Sequence, residues 1–141
     1  YLFTDVDVGP SVYVGFQGSV IHMVMGSGGA PEGVLSAVVL KCLGGDMQAR
    51  LLPQTEQEIQ RLHTMGIDDP NKVLTLDDLV KGDDCIFAET AITDCAMLRG
   101  VRFFGGGART STLVLRYKTG TVRFIDKVQR FGEDKPGVRM F

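Results

Sequence analysis

The sequence predicts a mixed α/β fold closed by a C-terminal β-hairpin, and three observations carry that reading. Strand-like apolar runs alternate with helical periodicities from Tyr1 to Ala88. A glycine-rich turn, Gly26-Ser27-Gly28-Gly29, separates one apolar run from one helical segment. Two polar-apolar alternations flank Lys118-Thr119-Gly120. With 141 residues, 44% hydrophobic and 23% charged, the chain is long enough for one domain over residues 1–141 and too apolar to be disordered.

In chain order, Tyr1 to Thr4 is expected to be the tail of a strand ending at Asp5, and Ser19 to Met25 a short buried strand. Val34, Leu35, Val38, Val39, Cys42 and Leu43 recur at helical spacing and Gly44-Gly45 stops them, which predicts a helix over Pro31 to Leu43. Met47 to Leu52 reads as a strand and Gln54 to Met65 as a charged amphipathic helix ended by Gly66. Lys72 to Leu76 and Cys85 to Ala88 are further strands, before the hairpin arms Thr110 to Tyr117 and Thr121 to Val128. No internal repeat or long linker divides the chain.

Several function classes drop out on composition. Val8 to Pro31 runs 24 residues without a charged side chain, long enough for a membrane span. Its glycines, Pro10, Gln17 and His22 disqualify it, so it is expected to be interior and no membrane partner is expected. Cys42, Cys85 and Cys95 are odd in number and lack a Cys-x-x-Cys spacing, which predicts inert packing thiols in a reducing cytoplasm. The start of the chain shows no signal-peptide pattern. His22 and His63 are isolated, which argues against zinc and makes His22 a hydrogen-bonded core residue. No Gly-x-Ser-x-Gly elbow or Cys-His pair suggests a covalent hydrolase.

The most informative segment is Gly26-Ser27-Gly28-Gly29-Ala30-Pro31-Glu32-Gly33 at the start of the predicted helix. Side-chain-free glycines bring helix N-terminal N–H groups close to an anion, and proline suits the first helical position. Neither the P-loop nor the dinucleotide fingerprint fits. Glu32 repels a phosphate unless a divalent cation lies between them, which points to a metal-assisted phosphate site. The competing reading is an ordinary turn whose Glu32 complements the helix dipole, worth roughly 0.3–1 kcal/mol.

Asp5 and Asp7, two apart at a strand end, either project to one face at a sheet edge and meet a sugar or metal, or Asp7 caps the next helix and Asp5 is solvated. Charge is uneven: residues 1–98 hold five bases and fourteen acids, residues 99–141 ten bases and three acids. The basic, aromatic-bearing third reads as a nucleic-acid face or, more simply, as a hairpin with one buried face. No nucleic-acid partner is expected.

Together these residues resemble the class II fructose-1,6-bisphosphatases, a bacterial sugar-phosphatase family related to the lithium-sensitive, metal-dependent phosphatases. The similarity rests on Gly28-Gly29-Ala30-Pro31-Glu32-Gly33-Val34, Leu35-Ser36-Ala37, Gly44-Gly45-Asp46-Met47 and Arg50-Leu51-Leu52. Met65-Gly66-Ile67, Lys72-Val73-Leu74, Ile86-Phe87-Ala88, Ile92-Thr93 and the Thr112-Leu113 strand extend it over nearly all of the chain.

The resemblance implies a layered α-β-α sandwich with a mixed sheet. It implies hydrolysis of the 1-phosphate of fructose 1,6-bisphosphate to fructose 6-phosphate, a step of gluconeogenesis, with Mn2+ or Mg2+ and a homo-oligomeric enzyme. Glu32 matches the family's metal-binding glutamate and Gly29 a backbone contact to substrate. Asp5, Val6 and Asp7 match a substrate-contacting Asp-Gly-Asp, with Val6 in place of the glycine. The family's other metal-binding acids and its catalytic acid lie in upstream motifs with no counterpart here. The chain is therefore expected to be the C-terminal part of such an enzyme, without a catalytic residue of its own and inactive alone. Sedoheptulose bisphosphate is a second expected substrate, and a sugar-phosphate-binding module without catalysis is the alternative.

Overall fold

The computed structural model describes residues 2–3 and 8–132. The expected strand tail before Asp5 lies mostly outside them, and Leu2 and Phe3 are in no regular element.

The first element is a helix, α1 (Gly9–Gly15), which the sequence suggested only as an unbounded helix after Asp7. Pro10 sits in its first turn, where the missing N–H removes no helical bond. The next helix, α2 (Ala30–Leu43), matches the expected boundaries to one residue and ends at Gly44, whose φ of 77° is the left-handed stop that glycine adopts most easily. Its buried positions are Ser36, Ala37, Val39, Leu40 and Lys41, whereas Val34 and Leu35 in the second turn are exposed. Gly15 permits the packing of α1 on α2, because a Cβ there would fall 2.6 Å from Leu43 Cδ1.

Short strands β1 (Gln48–Arg50) and β2 (Val73–Thr75) pair antiparallel on either side of α3 (Glu56–Thr64). Thr55 and Glu58 form a capping box at the start of α3. A single-turn helix, α4 (Leu76–Leu79), follows with a similar box between Thr75 and Asp78.

The main sheet has four strands: β3 (Ile86–Thr90), β4 (Arg102–Phe104), β5 (Gly107–Arg116) and β6 (Thr121–Arg130). β5 is central, pairing antiparallel with the other three. Tyr117 to Gly120 connects β5 to β6, and the ladder runs from Gly107 opposite Arg130 to Arg116 opposite Thr121. The expected mixed sheet does not form, since every pairing among the described strands is antiparallel. The physical reason lies in the connections: none of those within the main sheet contains the helical crossover that returns a chain parallel to itself.

Helices α1 and α2 cover one face of this sheet. Leu113 and Leu115, two apart and therefore on one face, are fully buried with Val12 of α1, Val39 of α2, Phe87, Ala91 and Leu98. α2 packs directly on β3 and β5.

Ser19 to Met25 departs most from expectation, forming no strand, with Val20, Met23 and Met25 exposed at 65%, 72% and 83%. A strand needs a ladder partner for its backbone, and none of the described strands runs beside this segment. His22 on the same segment is exposed, so it is not a core histidine.

Candidate functional site

The glycine-rich loop runs into α2 and stands open. A Cβ at Gly26, Gly28 or Gly33 would meet nothing within 4 Å. Gly29 is the N-cap, with φ −66° and ψ 149° and no side chain to bond the first-turn N–H groups. Those groups therefore remain available to an anion in front of the helix.

Two of the expected site residues are brought together here. Glu32, half-buried in the first turn of α2, folds its carboxylate back over Gly29. A Cβ on Gly29 would run into Glu32 Oε2 and lie 3.2 Å from its Cδ. Among the described residues no hydrogen bond or ion pair engages the Glu32 side chain, which leaves its oxygens open to a ligand on that side. Asp5, Val6 and Asp7, the other expected substrate contacts, lie outside the described residues.

A metal centre needs more than one carboxylate. Among the described residues no group of three His, Cys, Asp or Glu side chains stands close enough to hold an ion. Glu32 offers one hard oxygen donor of the type manganese and magnesium prefer, and the residues described do not by themselves complete a coordination shell.

A second polar cluster at the opposite end of α2 was not foreseen. Lys41 is 9% exposed; its Nζ donates to Val80 O at 2.7 Å and to Asp77 Oδ1 at 3.0 Å, and lies 5.4 Å from the centroid of the Tyr117 ring. The hydrogen bond to Asp77 is the main cause that holds the ammonium's pKa above its ordinary value, against the opposing effect of burial. A crevice of about 350 Å³ opens between Lys41, Asp77, Lys81, Asp83 and Tyr117. A lone lysine inside an apolar helical run was the sequence signal for this cluster.

The thiols also depart from expectation. Cys95 is exposed, accepting from Leu98 N–H at 3.3 Å, while Cys42 and Cys85 are half-buried with their sulfurs 3.8 Å apart. Cys42 packs against the core as expected, but its contact with Cys85 was not legible in the spacing.

Two arginines of the basic third, Arg102 and Arg116, pair with acidic side chains. Arg116 bonds Asp84 through Nε at 3.0 Å and Nη2 at 2.6 Å, and Lys118 N–H donates to the same carboxylate at 3.1 Å. These bonds, Arg116 first, pull the Asp84 pKa below its ordinary value. Arg102 pairs with Asp94, which also accepts from Gly100 N–H at 2.8 Å. Among the described residues no helix is long and apolar enough to cross a membrane.

Comparison with known proteins gives this geometry a context. The bacterial, glpX-encoded fructose-1,6-bisphosphatase family matches residues 1–129. A protein of Synechococcus sp. (strain JA-3-3Ab) named D-fructose 1,6-bisphosphatase class 2/sedoheptulose 1,7-bisphosphatase is 44% identical over 147 positions, covering 96% of this chain and 42% of that protein. One of the same name from Synechococcus sp. (strain JA-2-3B'a(2-13)) is 43% identical over 99% of this chain and 44% of its own length. Another from Trichormus variabilis is 41% identical over 95% of this chain and 42% of its own length. The chain thus spans less than half the length of these relatives. With the family matched over residues 1–129 and the glycine loop seated at the start of α2, the chain belongs to the bacterial, glpX-encoded fructose-1,6-bisphosphatases.

Proposed function

We propose that this chain is the C-terminal part of a phosphoric monoester hydrolase that releases the 1-phosphate of fructose 1,6-bisphosphate. The observation that carries this reading is the Glu32 carboxylate folded over Gly29 at an open helix N-terminus. In the proposed site, backbone N–H groups of the α2 first turn meet the substrate at Gly29, Asp5, Val6 and Asp7 contact the sugar, and Glu32 is one ligand of a divalent metal, Mn2+ or Mg2+. The remaining acids come from sequence outside this chain, and the layered α-β-α sandwich is completed with them. The relatives' names carry sedoheptulose 1,7-bisphosphatase as well, which supports a bifunctional enzyme. A cytoplasmic homo-oligomer is the form this reading favours.

The test joins this chain, in place of the matching segment, to the rest of the Synechococcus relative. Manganese-dependent phosphate release is expected from the chimaera and not from the chain alone. Glu32→Gln is expected to lower the chimaera's turnover about 100-fold, or ~2.7 kcal/mol of barrier. Family-like turnover by the isolated chain would overturn the partial-site reading. Metal-independent binding of fructose bisphosphate, unchanged by Glu32→Gln in calorimetry, would favour a binding module instead.

A further inference from the structure

Cys42 occupies the last turn of α2 and Cys85 the residue before β3, so a contact between them joins the helical layer to the sheet. Their sulfurs stand 3.8 Å apart, and Cys42 Sγ also points at Cys85 O, at 3.9 Å. Both residues are held in place. Tyr117 N–H donates to Cys85 O at 3.0 Å, while the neighbouring Lys41 is fixed by Asp77 and Val80 O. A disulfide needs about 2.05 Å between sulfurs, so closure asks for a movement of about 1.8 Å.

We propose that Cys42 and Cys85 form a modification site, at which a peroxide oxidises the two thiols to an intrachain disulfide that ties α2 to β3. One thiolate attacks a peroxide oxygen and the O–O bond breaks, leaving a sulfenic acid and, after protonation, water. The second thiolate attacks that sulfur, the S–O bond breaks, and the departing hydroxide is protonated to a second water. Overall, two thiols and one hydrogen peroxide give one disulfide and two waters, the sulfurs oxidised and the peroxide reduced.

The surroundings set the rate. Burial, then the hydrogen bond with Cys85, pushes the Cys42 thiol up to about 12. Lys41 of α2, Asp77 of α4, Asp84 before β3 and Tyr117 after β5 are the charged and titratable groups around the pair. Since only a thiolate attacks, closure is slow at neutral pH and quickens in alkaline buffer. Once formed, the bond closes a long loop, pinning the C-terminal end of the helix whose first turn carries Glu32.

The experiment uses the full chain with Cys95→Ser, which removes the exposed third thiol. Treatment with hydrogen peroxide in alkaline buffer is expected to remove both titratable thiols with the loss of two hydrogens by mass. Non-reducing digestion should yield one peptide pair joining Cys42 to Cys85, reversed by a dithiol reductant. Amide exchange in the last turn of α2 should slow, and the thermal midpoint should rise. Cys42→Ser or Cys85→Ser in the same background should abolish the product. If either variant fails to fold, the peptide map of the Cys95→Ser chain decides alone. Thiols that stay free, a single over-oxidised cysteine, or links only between chains would each overturn the proposal.

Discussion

Individual carboxylates in this chain are governed by the donors around them. Asp78 accepts from Thr75 N–H and Oγ1, both at 3.0 Å, and from Lys72 Nζ at 2.9 Å. These bonds, the backbone one first, hold its pKa at about 2. A carboxyl depressed in the folded state stabilises the fold above its unfolded value, about 3.9, and that stability is lost as pH falls toward about 2. Acid titration of unfolding should therefore show a loss of stability across that window, which Asp78→Asn flattens; an unchanged acid limb would refute the assignment. Gly29 offers a second residue-level test. Its φ of −66° suits any residue, but alanine is a poorer N-cap than glycine, so Gly29→Ala should cost about 1 kcal/mol of stability. The new methyl group would displace the Glu32 carboxylate, and calorimetry should show weaker binding of fructose bisphosphate by the completed enzyme.

At the scale of elements, α3 has no buried residue, so its caps matter more than its packing. Glu58 Oε2 accepts from Gln54 N–H at 2.6 Å and from Thr55 N–H at 3.1 Å, while Thr55 Oγ1 accepts from Glu58 N–H at 3.3 Å. Thr55→Ala is expected to destabilise the chain by about 1 kcal/mol in urea unfolding, with a fall in helical circular dichroism. The Thr55-x-x-Glu58 spacing is legible in the sequence, and it moves the predicted start of the helix from Gln54 to Glu56. β4 was missed because Arg102 to Phe104 is a three-residue strand between glycines, too short to show a period. α1 was obscured by Pro10 and its terminal Gly9 and Gly15, which weaken a helix on propensity alone; packing on α2 stabilises it nonetheless.

Across the whole molecule, stability rests on the layer where α1 and α2 meet β3 and β5. Leu113, fully buried and central, is the side chain whose loss should be felt most: Leu113→Ala is expected to cost ~2–5 kcal/mol in denaturant unfolding. A value below 1 kcal/mol would show that this layer is not the main core. Strands β4 and β6 leave large apolar side chains bare, including Phe103 at 68%, Phe124 at 54% and Val128 at 52% exposed. The hairpin was expected to bury one face, yet β6 has no buried residue, because no sequence period distinguishes an apolar face that is covered from one that is not.

What the sequence determined by itself was local: α2 and its glycine stop, the charged helix closed by Gly66, the alternating arms of β5 and β6, and the glycine loop carrying Glu32. Each depends on residues within a turn or two, which helical and strand periodicities record. Tertiary structure alone decided that the pairings are antiparallel, that Ser19 to Met25 stays uncovered, that Glu32 lies over Gly29 and that Cys42 meets Cys85. Such facts join groups far apart in the chain or depend on side-chain direction, and packing sets both.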